Sequence, residues 1–208
     1  MTIEGNPMER LWYALKVLFF YGITALANFS AILLASAVLT VMLWTQHRRT
    51  HVLVLWLTLI GSEGMATIGK LLFRRPRPSG LLPAIMENSY SFPSGHATSA
   101  VVLFGFLAYL LIREHRSWQI KVSAFLTALL LVFLVDLSRL YLGVHYVSDV
   151  LAGNALALTV LLFAIAVGEW LRSSVREIQQ SFSWKPIMVA LALEGMYVTG
   201  FLLFVPLA

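Results

Sequence analysis

The most restrictive feature of the sequence is residues 17–46, which contain no Asp, Glu, Lys, Arg or His. A membrane-spanning helix needs about 20 mostly apolar residues, because it crosses about 30 Å of hydrocarbon at about 1.5 Å per residue. The uncharged run is too long for one upright span, and the segment from Gly22 to Asn28 offers a point of division. We therefore expect an interfacial helix that begins near Met8, followed by a span.

The composition excludes a water-soluble globular protein. Of 208 residues, 59% are apolar and only 12% are charged, and the mean hydropathy is +0.81. Soluble domains average about 45–50% apolar and about 25% charged residues. The absence of cysteine from the sequence excludes disulfides, zinc–thiolate sites, iron–sulfur clusters and a cysteine nucleophile. In a membrane protein with a net charge of +5, the question is which side of the membrane each charged residue occupies. We do not expect nucleic acid as a partner.

Five further segments have the length and apolar character of membrane spans. They are residues 51–73, 96–112, 121–140, 147–170 and 186–206. No repeat, low-complexity tract or linker divides the chain. The sequence thus predicts an all-α polytopic membrane helix bundle of six transmembrane helices plus the N-terminal interfacial helix. We expect residues 1–208 to form a single membrane-embedded domain.

A cleaved signal peptide is the alternative reading of the N-terminal apolar run. Ala25-Leu26-Ala27 resembles the small-residue pattern of a signal-peptidase site. The basic segment that precedes such signals is missing, and Glu4 and Glu9 stand in its place. We therefore expect this run to remain part of the bundle.

Basic residues in the connections indicate the orientation, because cytoplasmic loops carry an excess of Lys and Arg. Alternate connections form two sets. The first set holds Arg48, Arg49, Arg113, Arg116, Lys121, Arg172, Arg176 and Lys185. The second set holds Arg10, Lys16, Lys70, Arg74, Arg75, Arg77 and Arg139. Three members of the second set, Lys70, Arg77 and Arg139, belong to polar motifs. Without them the first set dominates and is predicted to be cytoplasmic.

Three polar stretches interrupt the apolar background. They read Lys70-Leu-Leu-Phe-Arg-Arg-Pro-Arg77-Pro78, then Ser91-Phe-Pro93-Ser94-Gly95-His96, then Ser138-Arg139-Leu-Tyr-Leu-Gly-Val-His145-Tyr-Val-Ser-Asp149. They fall at the ends of two spans and the starts of the spans that follow. An up-and-down bundle brings all of these ends to one face, opposite the cytoplasm.

Taken together, the three stretches have the composition of an anion site. Lys70, Arg77 and Arg139 supply three cations, and the arginine fork suits phosphate oxygens. Ser94-Gly95 stands just before a predicted helix, whose unpaired N–H groups and positive dipole end favour phosphate. His96 follows in the first turn. The residues predict a phosphate cradle with an imidazole at its rim.

The third stretch supplies a nucleophile. His145 and Asp149 are four residues apart, so on a helix the carboxylate can accept a proton from one ring nitrogen and leave the other free to attack. His96, if protonated, could donate to a leaving oxygen. His96, His145 and Asp149 could also be read as metal ligands, but the neighbouring cations would repel a metal, and we predict none.

At these residues the sequence resembles the type 2 phosphatidic acid phosphatase superfamily of integral membrane lipid phosphatases. The family pattern is Lys, six residues and Arg-Pro; then Pro-Ser-Gly-His; then Ser-Arg, five residues, His, three residues and Asp. The chain matches it without departure, and the motif core covers residues 70–149.

The resemblance implies an enzyme without metal or cofactor that removes phosphate from a lipid phosphate or diphosphate through a phosphohistidine. It implies that His145 is the nucleophile, Asp149 its orienting partner and His96 the general acid. The implied phosphate-binding residues are Lys70, Arg77, Ser94, Gly95 and Arg139. The implied substrates are of the phosphatidylglycerophosphate, undecaprenyl diphosphate or phosphatidate class. A bacterial inner membrane, with the site on the periplasmic or extracellular face, is the expected location.

Two alternatives stay open at this point. A phosphotransferase would use the same site and pass the phosphoryl group to a lipid or sugar hydroxyl. A non-catalytic lipid or anion transporter would use the same basic pocket, although it would not require His145 and Asp149 to lie four residues apart.

Several other polar residues receive separate interpretations. Arg74 and Arg75 are expected to be ordinary interfacial anchors. Asp136 precedes Arg139 by three residues and either holds that guanidinium or accepts from a backbone or hydroxyl donor. Glu63 and Glu194 lie at membrane depth without an assignable role. The connection at residues 79–92 is hypothesised to lie at the lipid interface and to shape the access of substrate.

Overall fold

The computed structural model describes residues 6–78, 89–174 and 185–203. All regular structure in these ranges is helical, which confirms the all-α prediction. The helices are α1 Pro7–Ala25, α2 Phe29–Thr45, α3 Arg49–Phe73, α4 Gly95–Glu114, α5 Trp118–Tyr141, α6 Val147–Ser174 and α7 Lys185–Leu203. Within α4, residues Val101–Gly105 form a π-helical segment.

The long uncharged run divides where the sequence predicts. α1 ends at Ala25, and Asn28 caps α2 by accepting a hydrogen bond from the Ser30 N–H. Asn6 caps α1 in the same way, through the Met8 N–H. An asparagine side chain satisfies helix N–H groups that otherwise lack partners, so each one marks a helix start. The two helices meet at an angle of 43°.

The membrane character of the bundle rests on the helices that the structure describes. α3, α4, α5 and α6 are each long and apolar enough to span a membrane. The bent pair of α1 and α2 meets the same test when it is taken together, and the apolar part of α7, Met188–Leu203, is shorter. The count of six spans therefore stays a prediction. Residues 79–88 and 204–206, parts of the predicted connection and last span, lie outside the described residues.

The centre of the bundle is the packing of α3 against α6, with α4 beside both. Glycines let the helices approach closely, as is common between membrane helices. A Cβ on Gly168 of α6 would lie 2.4 Å from Val54 Cγ2 of α3, and one on Gly61 would lie 2.8 Å from Val160 Cγ1. The core between these helices is otherwise built from aliphatic side chains together with Phe104 and Phe106.

Ion pairs join the helices at the end of the bundle that is predicted to be cytoplasmic. Arg48 pairs with Glu114, linking the start of α3 to the end of α4. Glu169 of α6 accepts from Arg113 Nε at 3.0 Å and from the Tyr109 hydroxyl at 3.1 Å. These contacts hold three helices together where the chain leaves the hydrocarbon. The polar motifs lie at the opposite end.

The close packing of α3 and α6 predicts that alanine substitutions at two helical glycines have different effects on the melting temperature. Gly168→Ala should lower the melting temperature of the detergent-purified protein, because the new methyl group collides with the buried Val54. Overpacking of this kind costs about 1–3 kcal/mol. Gly64→Ala is the matched control, since its Cβ would meet nothing within 4 Å, and it should leave the melting temperature unchanged or raise it. Equal shifts for both variants would contradict the packing argument.

Candidate active site

The candidate active site lies where α3 and α5 end and where α4 and α6 begin. The Ser94 N–H donates to the Asp149 carbonyl oxygen at 3.0 Å, which joins the starts of α4 and α6. Arg77, just beyond the end of α3, donates to the Val144 carbonyl oxygen at 3.0 Å. The three polar stretches of the sequence are therefore assembled into one cluster at one end of the bundle.

His145 and Asp149 face each other at the start of α6. His145 Nδ1 lies 3.6 Å from Asp149 Oδ2, close but longer than a hydrogen bond. The same carboxylate oxygen accepts from the Tyr146 N–H at 2.9 Å. Because Tyr146 directly precedes the helix and Asp149 is its third residue, this contact is the acidic half of a capping box. The helix start itself thus orients Asp149, and both side chains are buried.

Arg77 determines which nitrogen of His145 carries the ring proton. Its Nη1 lies 3.1 Å from His145 Nε2. A guanidinium group can only donate, so Nε2 accepts and, in the neutral ring, Nδ1 carries the proton. That proton faces Asp149. Nε2 is therefore unprotonated and faces the Arg77 guanidinium. An unprotonated ring nitrogen is the form that a nucleophilic imidazole requires.

Ser89 and Ser91 hold the segment that carries Arg77. Arg77 Nε donates to the Ser89 carbonyl oxygen at 2.9 Å, and Nη2 donates to the Ser89 hydroxyl at 3.0 Å. Ser91 donates through its N–H to the Arg75 carbonyl oxygen and through its hydroxyl to that of Pro76. Sequence reasoning assigned no role to Ser89. Its only signal was its position shortly before the Pro-Ser-Gly-His motif.

The start of α4 forms the floor of the cluster. A Cβ on Gly95 would lie 3.4 Å from Lys70 Nζ, so the ammonium group lies directly against this helix start. The Ser94 hydroxyl caps the helix by accepting from the Ala97 N–H at 3.5 Å. Behind it, a Cβ on Gly153 of α6 would lie 2.6 Å from the Ser94 carbonyl oxygen. Glycine is therefore needed at position 153 for α6 to support the Ser94 backbone.

Three cations lie near His96. Its imidazole is partly exposed, and Lys70, Arg77 and Arg139 all lie within electrostatic reach of it. Arg139 is almost completely buried, with 1% of its surface exposed. With Asp149 as the neighbouring carboxylate, the cluster of described side chains is strongly cationic. Such a cluster favours a ligand with more than one negative charge, such as a phosphate group.

Thr24 on α1 supports Arg139 from outside the three motifs. Its hydroxyl oxygen accepts from Arg139 Nη1 at 3.0 Å and from the Ser138 hydroxyl at 3.2 Å. α1 reaches this position because Phe20 stacks on Tyr141 at the end of α5, with ring centroids 4.0 Å apart. Sequence analysis did not identify Thr24, since a single threonine in an apolar helix carries no distinguishing signal.

The interpretation of Arg75 as an interfacial anchor is wrong. Its Nη1 lies 2.7 Å from Asp149 Oδ1 and 2.7 Å from the Ser148 hydroxyl. Its guanidinium also covers the Tyr146 ring, 4.1 Å from the centroid. Arg74, in contrast, is exposed and donates through Nε to the Leu71 carbonyl oxygen.

The acidic residues at membrane depth have different surroundings. Glu63 accepts from the Ser99 hydroxyl at 2.6 Å and lies within electrostatic reach of Lys70. Asp136 accepts from the Asn154 side-chain amide at 2.6 Å, a donor that neither sequence interpretation named. Glu194 is buried, and its carboxylate oxygens make no hydrogen bond to the described residues.

Comparison with known proteins places the chain in a family. The sequence model of the PAP2 superfamily matches residues 51–173, and the chain belongs to that superfamily. It is 36% identical over 125 residues to phosphatidylglycerophosphatase B of Bacillus subtilis, covering 59% of this chain and 60% of the relative. Decaprenylphosphoryl-5-phosphoribose phosphatase of Mycobacterium tuberculosis is 38% identical over 112 residues, covering 51% of this chain and 55% of that one.

A solved structure resembles most of the chain. It is that of the PAP2-type phosphatidylglycerolphosphate phosphatase from Bacillus subtilis, with a TM-score of 0.59 and 28% identity, covering 80% of each chain. The sequence matches are shorter, and the chain spans 60% or less of the length of these curated relatives. Thr24 lies outside the region that matches the superfamily.

The contacts of Thr24 predict a stabilising role for its hydroxyl. Thr24→Val keeps the shape of the side chain and removes an acceptor from the buried Arg139 and Ser138. Loss of a buried hydrogen-bond partner costs about 1–3 kcal/mol, so detergent-purified Thr24→Val should unfold at a lower denaturant concentration. Thr159→Val is the control, because the exposed Thr159 hydroxyl bonds only back to the Ala155 carbonyl oxygen among the contacts described. Identical unfolding of the two variants would contradict the assignment.

Proposed function

We propose that the protein is a membrane phosphatase that hydrolyses the phosphomonoester or diphosphate of a lipid through a phosphohistidine on His145. The observation that carries the proposal is the environment of His145. Its Nε2 faces the Arg77 guanidinium at 3.1 Å while its Nδ1 faces Asp149. This is the tautomer in which Nε2 has a lone pair for attack on phosphorus. Membership of the PAP2 superfamily and the names of the relatives support the same reaction class.

The binding step uses the cationic cluster. Lys70, Arg77 and Arg139 take the charged phosphoryl oxygens, because an arginine fork and a lysine ammonium both match them. The Ser94 hydroxyl and the Gly95 N–H at the start of α4 add neutral donors. As charge grows on the equatorial oxygens in the transition state, these fixed donors stabilise it without reorganising.

The chemical step then has two halves. His145 Nε2 attacks phosphorus, an N–P bond forms, and the bond from phosphorus to the lipid oxygen breaks. His96 gives a proton to that leaving oxygen, while Asp149 stabilises the positive charge on the His145 ring. In the second half, water attacks phosphorus, His96 takes its proton, and the N–P bond breaks to release inorganic phosphate. No metal is required in this scheme.

The substrate is proposed to be a lipid because of where the cluster lies. It is located at one end of a bundle of apolar helices, so a phosphate there can bind while an acyl or prenyl tail stays in hydrocarbon. Two relatives carry names with different lipid tails, which supports a general lipid phosphate class. The basic residues of the opposite end favour a site on the periplasmic or extracellular face of a bacterial cytoplasmic membrane. Residues 1–208 are proposed to act as one domain.

The test is phosphate release by the detergent-purified protein with EDTA present. The substrates are phosphatidylglycerophosphate, undecaprenyl diphosphate and phosphatidate. The parent should release phosphate, and His145→Ala should lose at least about 1,000-fold in kcat, as expected when a nucleophile is removed. Rapid acid-free quenching with a labelled substrate should trap a base-stable phosphoprotein in the parent and none in His145→Ala.

A matched control separates loss of the nucleophile from loss of any histidine. His47 is exposed, lies between α2 and α3 at the opposite end, and has a φ of 58°, which asparagine tolerates. His47→Asn should keep the parent rate. Product that forms only when a hydroxyl acceptor is added would indicate a phosphotransferase instead. Lipid binding that survives His145→Ala, with no turnover by the parent, would indicate a binding protein and overturn the proposal.

A further inference from the structure

Two arginines, separated only by Pro76, contact the two members of the His145–Asp149 pair. Arg77 reaches His145 Nε2, and Arg75 reaches Asp149 Oδ1 at 2.7 Å. The backbone between the two arginines is held by Ser91, which donates to the carbonyl oxygens of Arg75 and Pro76. The short segment after α3 therefore contacts both ends of the proposed catalytic pair.

The Asp149 carboxylate is completely buried, and its oxygens have different partners. Oδ1 accepts from Arg75, whereas Oδ2 accepts from the Tyr146 N–H and lies nearest to His145 Nδ1. A charge-assisted hydrogen bond is roughly twice as strong as a neutral one. With both oxygens held, the carboxylate cannot rotate without losing one of these contacts.

Arg75 is itself held on two further sides. Its Nη1 lies 2.7 Å from the Ser148 hydroxyl, and its guanidinium plane covers the Tyr146 ring. About a third of its side chain, 36%, remains exposed. Tyr146 directly precedes α6 and Ser148 is its second residue, so Arg75 links the end of α3 to the start of the helix that carries Asp149.

We propose that Arg75 is a positioning residue that fixes the Asp149 carboxylate, so that Oδ2 stays toward His145 Nδ1 during the reaction. The inference rests on the proposed function of His145 and Asp149. Arg75 acts on the imidazole only through Asp149, and it does not bind the substrate phosphate. Its contribution is to keep the His145 ring in the orientation and tautomer needed for attack by Nε2.

The proposal is tested with steady-state kinetics of the full-length protein on the lipid phosphate that the parent hydrolyses best. Arg75→Ala should lower kcat roughly 10- to 100-fold, because a small misplacement of a reacting group can cost on the order of 100-fold, with KM within about two-fold of the parent. Arg75→Lys should recover part of this loss, because an ammonium group restores the charge without the planar fork. Arg75→Gln provides the same comparison if Arg75→Ala does not purify as a folded protein.

The matched control is Arg74→Asn. It removes a neighbouring positive charge from an exposed position, and asparagine tolerates the left-handed backbone at residue 74, where φ is 44°. This variant should keep kcat within about two-fold of the parent. A loss as large as that of Arg75→Ala would mean that general surface charge, rather than the Asp149 contact, accounts for the effect, and it would overturn the proposal.

A double-mutant comparison identifies the route of action. In an Asp149→Asn background, adding Arg75→Ala should cause no further loss of kcat, since residues that act as one unit are not additive. A multiplicative loss, or a raised KM with unchanged kcat, would make Arg75 a substrate ligand. A lowered melting temperature with unchanged kcat would make it purely structural. Failure of the proposed function itself would be visible separately, because Asp149→Asn and His145→Ala would then match the parent.

Discussion

The site depends on one junction, where the starts of α4 and α6 are hydrogen-bonded to each other. The Ser94 N–H donates to the Asp149 carbonyl oxygen, so the cap of one helix is bonded to the first turn of the other. Gly153 allows this contact, because any side chain there would strike the Ser94 carbonyl oxygen. The helix start that is proposed to bind phosphate and the helix that carries the histidine therefore cannot move independently.

The membrane explains why such a polar junction lies at the end of the bundle. Unsatisfied polar groups are costly in hydrocarbon, so charged residues collect where the helices leave it and pair with one another. Both ends of this bundle show the effect. At the end predicted to be cytoplasmic, the pairs are balanced, as for Arg48 with Glu114 and Arg113 with Glu169. At the other end, cations outnumber the carboxylate of Asp149, and this imbalance favours an anionic ligand.

The sequence predicts the helical fold and the meeting of the three polar stretches at one end of the bundle, because both follow from the length and order of the apolar segments. Spans follow from apolar length, and the division at Asn28 follows from an uncharged run that exceeds one span. Arg75, Ser89 and Thr24 were missed for a different reason. Their roles arise from contacts 74, 12 and 115 positions apart in the chain, to Asp149, Arg77 and Arg139. A lone arginine beside a membrane surface has the same neighbouring sequence whether it anchors a helix at the lipid interface or pairs with a distant carboxylate.

The contact between Arg77 and His145 gives the proposed mechanism its order of events. Arg77 Nη1 donates to Nε2, the atom proposed to attack phosphorus. A phosphoryl oxygen is a stronger acceptor for a guanidinium than a neutral imidazole is. In the proposed mechanism, a phosphoryl oxygen that takes over the Arg77 hydrogen bond frees the lone pair of Nε2 for attack on phosphorus. In this proposed scheme, phosphate binding and activation of the nucleophile are coupled, which ties the reactivity of His145 to the presence of a phosphate group.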